Sequence, residues 1–234
     1  ILMRKSFILV AAAVLCSALP LSAQFVGGGA TPSPSIGSNS SVAEGRTFSI
    51  TYAPTTFEYT SGNSSSSNDD FKTVSVNWGT ISALSSSSLP LYYEFGWGAD
   101  LSFYFDSGSD YGIDYDTKSF LLAVKVPVSI MTPINLTPEI TLYPYAGVHA
   151  KGFVLGKSIS NVEYNGSSEK STADMFSKDD MGDGRYKRLG FGYQAGVRVV
   201  FGSYFASVGI ENALSEISKN TKMNLVTISL GIML

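Results

Sequence analysis

The feature that most constrains this chain is an alternation of apolar and polar residues with a period of two. In the segment LYYEFGWGADLSFYF, which runs from Leu91 to Phe105, every odd position is apolar, whereas the even positions include Glu94, Asp100 and three small residues. Successive side chains of a β-strand point to opposite faces, so this pattern predicts a strand with one apolar face. Beyond residue 45 no segment has the periodicity of an amphipathic helix. The chain is therefore expected to be all-β.

Eight segments show this alternation, and most reach the roughly 9 to 11 residues that a tilted strand needs to cross a bilayer. They are residues 46–53, 72–80, 91–106, 117–131, 138–154, 188–201, 203–213 and 223–234. Their connections differ in character: 54–71, 107–115, 155–187 and 214–222 are polar loops, whereas 132–137 and 202 are short turns. An even number of strands with all the polar loops on one side predicts an eight-stranded antiparallel up-and-down transmembrane β-barrel.

The N-terminus has the features of a secretory signal peptide. Two basic residues precede an apolar run from Phe7 to Leu15, and small residues precede an expected cleavage near Ala23. A Gly, Ser and Pro-rich stretch follows, whose composition favours a flexible lead-in. The expected division is a signal peptide in 1–23, a periplasmic lead-in in 24–45 and a barrel in 46–234. The expected location is the outer membrane of a Gram-negative cell envelope.

Charge distribution separates the two faces of the predicted strands. Charged residues make up 15% of the chain, against roughly 25% for an ordinary soluble domain. The net charge of -3 offers no basic footprint for nucleic acid. The apolar face of the strands lacks Asp, Glu, Lys and Arg, as a face in contact with lipid should. The opposite face carries a predicted lumen charge network, namely Glu94, Asp100, Lys125, Lys151, Arg198 and Glu211. We expect these charges to pair inside the narrow barrel, where they either pack the lumen or line a narrow ion path.

Aromatic residues are concentrated on the predicted lipid-facing side, as in the interfacial girdles of membrane barrels. The predicted lipid-interface aromatics are Tyr52, Trp78, Trp97, Phe103, Phe105, Phe120, Phe191, Tyr193, Phe201 and Tyr204. Ordinary β-propensity in the core of a soluble, secreted, ligand-binding barrel would also enrich aromatic residues in strands. That alternative stays open from sequence alone.

Residues suited to catalysis or metal binding are few. His149 is the only histidine, and its parity directs it into the lumen, away from the rim where a lipid hydrolase would need it. Aspartates cluster in two of the predicted loops, at positions 106, 110, 114 and 116 and at positions 179, 180 and 183, without the spacing of a calcium loop. The 155–187 loop is nearly balanced in charge, which argues against a docking site of one sign. We therefore expect no catalysis, no cofactor and no metal.

Two neighbouring stretches carry a family resemblance. FLLAVKVPVSI, from Phe120 to Ile130, and YPYAGVHAKGFVLG, from Tyr143 to Gly156, resemble the PorT-like family of small outer-membrane β-barrels (outer membrane protein β-barrel domain). That family shows a strand with a central (I/V)P and then a strand with Y-x-x-x-G, and these positions are filled here by Val126, Pro127, Tyr143 and Gly147. GIENALSEIS (209–218) and TISLGIML (227–234) are similar to its last two strands.

The resemblance implies an integral outer-membrane barrel whose last strand is recognised by the barrel-assembly machinery, but it implies no single biochemical activity. The expected role is structural or interactive, through the extracellular loops. Expected partners are outer-membrane lipid and lipopolysaccharide, the assembly machinery and an unknown extracellular or periplasmic protein. A narrow channel and a secretion-accessory barrel remain alternatives.

Overall fold

The computed structural model describes residues 44–62, 64–85, 90–110, 113–164 and 167–234. These contain the strands β1 (Gly45–Ser61), β2 (Ser64–Ser85), β3 (Leu91–Asp110), β4 (Ile113–Met131), β5 (Ile134–Asn135), β6 (Ile140–Tyr164), β7 (Ser167–Asp174), β8 (Leu189–Phe201), β9 (Tyr204–Ala213) and β10 (Thr221–Met233). A short helix α1 (Lys178–Met181) and a 3₁₀ turn (Gly182–Gly184) lie between β7 and β8. None of the helices in these ranges has the length and hydropathy to cross a membrane. The predicted signal peptide and nearly all of the predicted lead-in lie outside the described residues.

Eight of the strands form one closed antiparallel barrel in the order β1, β2, β3, β4, β6, β8, β9, β10 and back to β1. Followed once round the barrel, the ladder that starts at Gly45 returns to β1 at Thr55, ten residues further along. Such a stagger accompanies strands that are tilted by roughly 35–45° from the barrel axis. The prediction of an eight-stranded up-and-down barrel is confirmed.

The predicted polar loops at 54–71 and 107–115 were wrong, because the strands continue through them. β1 extends to Ser61 and β2 resumes at Ser64, while β3 extends to Asp110 and β4 begins at Ile113. Backbone N–H and C=O groups pair across a ladder whatever the side chains are, so a polar stretch remains a strand wherever a partner strand accompanies it. The predicted 155–187 loop likewise contains the end of β6 and all of β7.

These extensions produce a four-stranded protruding sheet, formed by residues 104–110, 113–119, 157–164 and 167–174. The β2–β3 ladder stops at the Lys72 and Phe103 pair, so the protruding sheet separates from the β1–β2 hairpin beyond that point. We call this end of the barrel the hairpin side, and the opposite end, where β1 begins and β10 ends, the terminus side.

Apolar side chains close the lumen towards both ends. The hairpin-side cluster comprises Ala53, Phe57, Phe71, Leu121, Ala123, Phe153, Met175, Ile217, Met223 and Leu225. The smaller terminus-side cluster comprises Ile81, Met131 and Tyr143, against which Met233 packs. Polar and charged side chains occupy the lumen between the two clusters.

Residues 175–188, which we call the cap, contribute to the hairpin-side cluster. Met175 is buried in the cluster, and Phe176 and Tyr186 pack against it. The Tyr186 N–H donates to the Met175 carbonyl at 2.7 Å, and the Lys187 N–H donates to the Ile217 carbonyl at 2.6 Å. The cap is therefore tied both to itself and to the β9–β10 connection.

Candidate functional site

Four buried ionisable side chains from four strands meet in the middle of the lumen. Lys151 Nζ lies 2.9 Å from Asp100 and 3.0 Å from Glu211. Lys125 Nζ donates to Glu211 at 2.6 Å and lies 3.8 Å from Asp100. All four are almost fully buried. This charge quartet of two acids and two bases is neutral as a whole, which is the condition for burying charges at acceptable cost.

The other two predicted lumen charges form a separate pair. Arg198 Nη2 donates to Glu94 Oε2 at 2.7 Å, and the Thr47 hydroxyl donates to the other Glu94 oxygen at 2.8 Å. The Arg198 guanidinium also lies 4.4 Å from the centre of the Phe205 ring. The sequence therefore predicted the six charges as one network, whereas the structure divides them into a quartet and a pair.

A polar cavity of about 80 Å³ borders both charge centres. Hydroxyl groups line much of it, and Arg198, Lys125 and Glu211 also reach it. Two further nitrogens of Arg198 and the Asn77 side-chain oxygen lack a hydrogen-bond partner among the described residues. A polar cavity of this size accommodates water. The arrangement is suited to holding water between two charge centres. The apolar clusters oppose the passage of water and ions along the barrel axis.

His149 lies in the lumen wall beside the quartet and is buried. Its ring packs so closely over β8 that a Cβ atom at Gly192 would lie 2.5 Å from His149 Nε2. A small 20 Å³ recess lined by Lys151, Phe153 and Ser215 adjoins it. The Ser215 hydroxyl accepts a hydrogen bond from the backbone N–H of Phe191 at 2.8 Å. No Ser–His pairing that would suit hydrolysis is seen among the described residues.

The ten predicted lipid-interface aromatics all lie on the outside of the barrel and none is buried. Trp97, Phe105, Phe191 and Tyr204 are each more than half exposed. Trp78 and Trp97 stack at 5.4 Å in the middle of the β2–β3 ladder, not at a strand end. Phe105 contacts Phe103 and Phe120 towards the hairpin side, and Phe201 contacts Tyr204 towards the terminus side.

The aspartates of the two predicted loops lie largely in regular structure. Asp106, Asp114 and Asp116 belong to the protruding sheet, where Asp116 pairs with Lys118 at 2.7 Å. Asp180 lies in α1 and accepts from the Asp174 N–H at 2.8 Å. Over the described ranges, no group of three or more His, Cys, Asp or Glu side chains is placed to hold a metal ion.

Two groups of residues in the structure have no counterpart in the sequence predictions. One is the apolar part of the cap, whose only sequence signal is the Met175–Phe176 pair within a polar stretch. The other is a set of apolar residues at the start of β4 and the end of β6, among them Ile113 and Tyr115. Their signal is a reversed parity: odd positions are apolar from 113 to 115, and even positions are apolar from 120 onwards.

Comparisons with known proteins assign no family to the chain. No protein-family model and no curated protein matches the chain. Among solved structures, the attachment invasion locus protein Ail of Yersinia pestis is similar at 14% identity, with a TM-score of 0.38, over 82% of this chain and 99% of that one. Neisserial surface protein A is similar at 14% identity, with a TM-score of 0.37, over 82% and 100% of the two chains.

The outer membrane enzyme PagL is similar at 13% identity, with a TM-score of 0.36, over 80% of this chain and 99% of that one. The solved structures that this chain resembles are thus those of small outer-membrane β-barrel proteins. They include an enzyme and proteins of other kinds, so the likeness does not indicate an activity. The PorT-like resemblance stays a prediction.

Proposed function

We propose that this protein is an integral outer-membrane β-barrel, exported by a signal peptide, that acts without catalysis through its protruding hairpins. The observation that carries the proposal is the apolar outer surface of the barrel wall. Along β3 the outward side chains from Tyr93 to Phe105 are all apolar or aromatic, and most are exposed. Twelve residue steps at about 3.3 Å, tilted by roughly 40°, span about 30 Å, the thickness of a bilayer core.

Charged side chains on the outside begin where this band ends. On the hairpin side, Lys72 and Lys157 flank the paired Phe103 and Phe120 of neighbouring strands. On the terminus side, Arg46 is the outward residue next to Phe48. Lysine and arginine at the ends of an apolar band place their charged heads in the interface while their stems cover apolar surface. This distribution supports contact with lipid and opposes the soluble-barrel alternative, in which water would meet the apolar wall.

The lumen supports a structural role better than transport. The buried charges of the quartet and of the Glu94–Arg198 pair form ion pairs with one another. Apolar clusters lie on both sides of them along the barrel. A narrow channel would require these clusters to open. A secretion-accessory role, which the PorT-like resemblance also allows, would use the same protruding hairpins or the terminus-side surface.

Membrane fractionation combined with gel migration tests the proposal. The full chain should sediment with outer membranes, resist extraction by high salt and, in detergent, migrate faster unboiled than boiled because a closed barrel stays compact. A boiled sample of the same preparation is the internal control. Recovery in the soluble periplasmic fraction, with no difference in migration, would show that the apolar wall is covered by protein and would refute the proposal.

A further inference from the structure

The protruding sheet inverts the arrangement of the barrel wall. In the wall, apolar side chains point outward and charges point into the lumen. In the protruding sheet, the outward face carries Asp114, Asp116 and Glu163. Its inward face, which continues the lumen side of the same strands, carries Ile113, Tyr115, Val162 and Tyr164. These four residues form what we call the inward patch.

Register and exposure define the inward patch as one surface. Ile113 is directly opposite Tyr164, and Tyr115 is directly opposite Val162, so each pair shares a face. The four side chains are between 38% and 54% exposed. Tyr115 leans across Gly108 of β3, where a Cβ atom would lie 2.5 Å from the tyrosine hydroxyl. The absence of a side chain at Gly108 therefore lets the aromatic surface spread over a third strand.

The inward patch is separate from both the core and the lipid. Two pairs of hydroxyls, Thr117 with Ser160 at 3.3 Å and Ser119 with Ser158 at 3.0 Å, lie between it and the hairpin-side cluster. Lipid is excluded because the other face of these strand segments carries three carboxylates, and ionised groups do not enter the hydrocarbon. The patch is therefore apolar surface exposed to water, of the kind that proteins use for binding.

Carboxylates border the inward patch on the same face. Glu169 of β7 is directly opposite Val162. Asp106 of β3 is opposite Thr117, which follows Tyr115 on the same face of β4. With the outward Asp114, Asp116 and Glu163, they make this part of the sheet acidic. Its bases lie on the outward face: Lys118 and Lys157 near the barrel wall, beside Phe105 and Phe120, and Lys170 of β7 opposite Asn161. The inward face of this sheet carries no base among the described residues. Charge complementarity therefore favours a cationic occupant.

We propose that the inward patch, with Glu169 and Asp106, is a docking surface for a cationic, apolar segment of a partner protein. Tyrosine faces accept lysine and arginine through cation–π contact, the aliphatic residues bury apolar side chains, and the carboxylates pair with the charges. A second copy of this chain would bring the same acidic border and be repelled, as would anionic lipid. The inference rests on the proposed function, since it takes the protruding sheet to stand outside the membrane.

The test uses the full-length protein in a zwitterionic detergent and a labelled, acetylated seven-residue peptide that alternates lysine with valine and tyrosine. Its twin with glutamate in place of lysine is the charge control. Fluorescence anisotropy should show that the lysine peptide binds, that binding weakens as salt rises and that the glutamate peptide does not bind. Micelles without the protein are the control for adsorption of the peptides to detergent.

Matched variants locate the binding. Glu169→Gln should weaken binding about fivefold, the upper range for an exposed ion pair, whereas Glu163→Gln removes a charge from the opposite face and should weaken it less than twofold. The double change Val162→Ser and Tyr164→Ser should weaken it at least about tenfold, as for loss of a central apolar anchor. Each variant must keep its unboiled fast migration, which shows that the barrel is intact.

Two results would overturn the inference: equal binding of both peptides, or equal losses for Glu169→Gln and Glu163→Gln. Either could occur while the protein still fractionates with the membrane and shows the migration shift, so the proposed function would survive. Loss of membrane fractionation in the unaltered protein would instead refute the proposed function itself.

Discussion

The barrel wall and the protruding sheet are built from the same strands, but their side chains are arranged in opposite ways. In the wall part of β4, Val126 points outward and Lys125 points inward, whereas near the start of that strand Asp116 points outward and Tyr115 inward. The β4–β6 ladder runs through both regions, with one bulge between the Leu122 and Ala123 pairs. The comparison shows that the surroundings of a strand determine which face is apolar, while pairing alone determines that it is a strand.

The two regions also treat charge differently. The wall buries its quartet, and each charge there depends on partners from other strands. The Lys118–Asp116 pair of the protruding sheet is only about half covered, at 47% and 42% exposure. Water stabilises an exposed charge whether or not its partner is present, so the same type of ion pair should have very different energetic weight in the two regions.

The largest expected effect comes from removing one quartet member. Lys151→Met leaves Asp100 and Glu211 with a single base between them and should cost about 3–5 kcal/mol of unfolding free energy, as for other buried pairs that lose one partner. Lys118→Met, in the protruding sheet, should cost less than about 1 kcal/mol. Urea unfolding in lipid vesicles, followed by loss of the fast-migrating form, measures both. Equal costs would contradict the contrast between the regions.

A second comparison uses two valines that are both 39% exposed, Val126 in the wall and Val162 in the inward patch. Val126→Arg places a charge in the hydrocarbon and should cost about 2–4 kcal/mol, with a lower yield of membrane-inserted protein. Val162→Arg meets water and should insert normally. The measure is the heat-modifiable fraction recovered from membranes. Normal insertion of Val126→Arg would show that the wall does not face lipid.

The smallest expected effect concerns the cap. Burial raises the pKa of the Tyr186 hydroxyl above its ordinary value. The folded state therefore favours the neutral phenol, and the stabilisation is present below about pH 10, the ordinary tyrosine pKa, and is lost as the pH rises above it. Tyr186→Phe should remove this part of the pH dependence while retaining the ring.

The measurement is the urea midpoint of unfolding at about pH 8 and about pH 11, on either side of the ordinary tyrosine pKa. The midpoint should fall less between these pH values in Tyr186→Phe than in the wild type. Tyr59, which is exposed, supplies the matched control through Tyr59→Phe. A Tyr186→Phe variant that loses as much stability as wild type between the two pH values would show that Tyr186 is not the group responsible.

The alternation of residues allowed much of the barrel wall to be predicted. Segments such as 91–106 and 117–131 lie within observed strands, and residues such as Trp97 and Lys125 face the sides that parity predicts. The protruding hairpins are not predicted, because polar residues are typical of loops as well as of strands that water covers on one face. In 113–116, Ile113 and Tyr115 alternate with two aspartates, which is a strand pattern. Its apolar residues lie at odd positions, whereas those of the wall part of β4 lie at even positions. No continuous apolar face therefore joins this segment to the wall.

Period, parity and composition were enough to determine the strand class and the faces of the wall side chains, because both are local properties of one strand. The even number of wall strands then follows from counting such segments along the chain. The tertiary structure alone decided which charges meet. Asp100, Lys125, Lys151 and Glu211 come from four strands and pair only because closure with a fixed stagger brings them to one level.

The same reason explains the acidic border. The 155–187 segment is nearly neutral as a sequence, but pairing places Glu169 on the inward face that also carries Asp106, while Lys157 and Lys170 lie on the outward face and Arg185 and Lys187 lie in the cap. Contacts between residues distant in sequence depend on register and closure, which no single strand encodes.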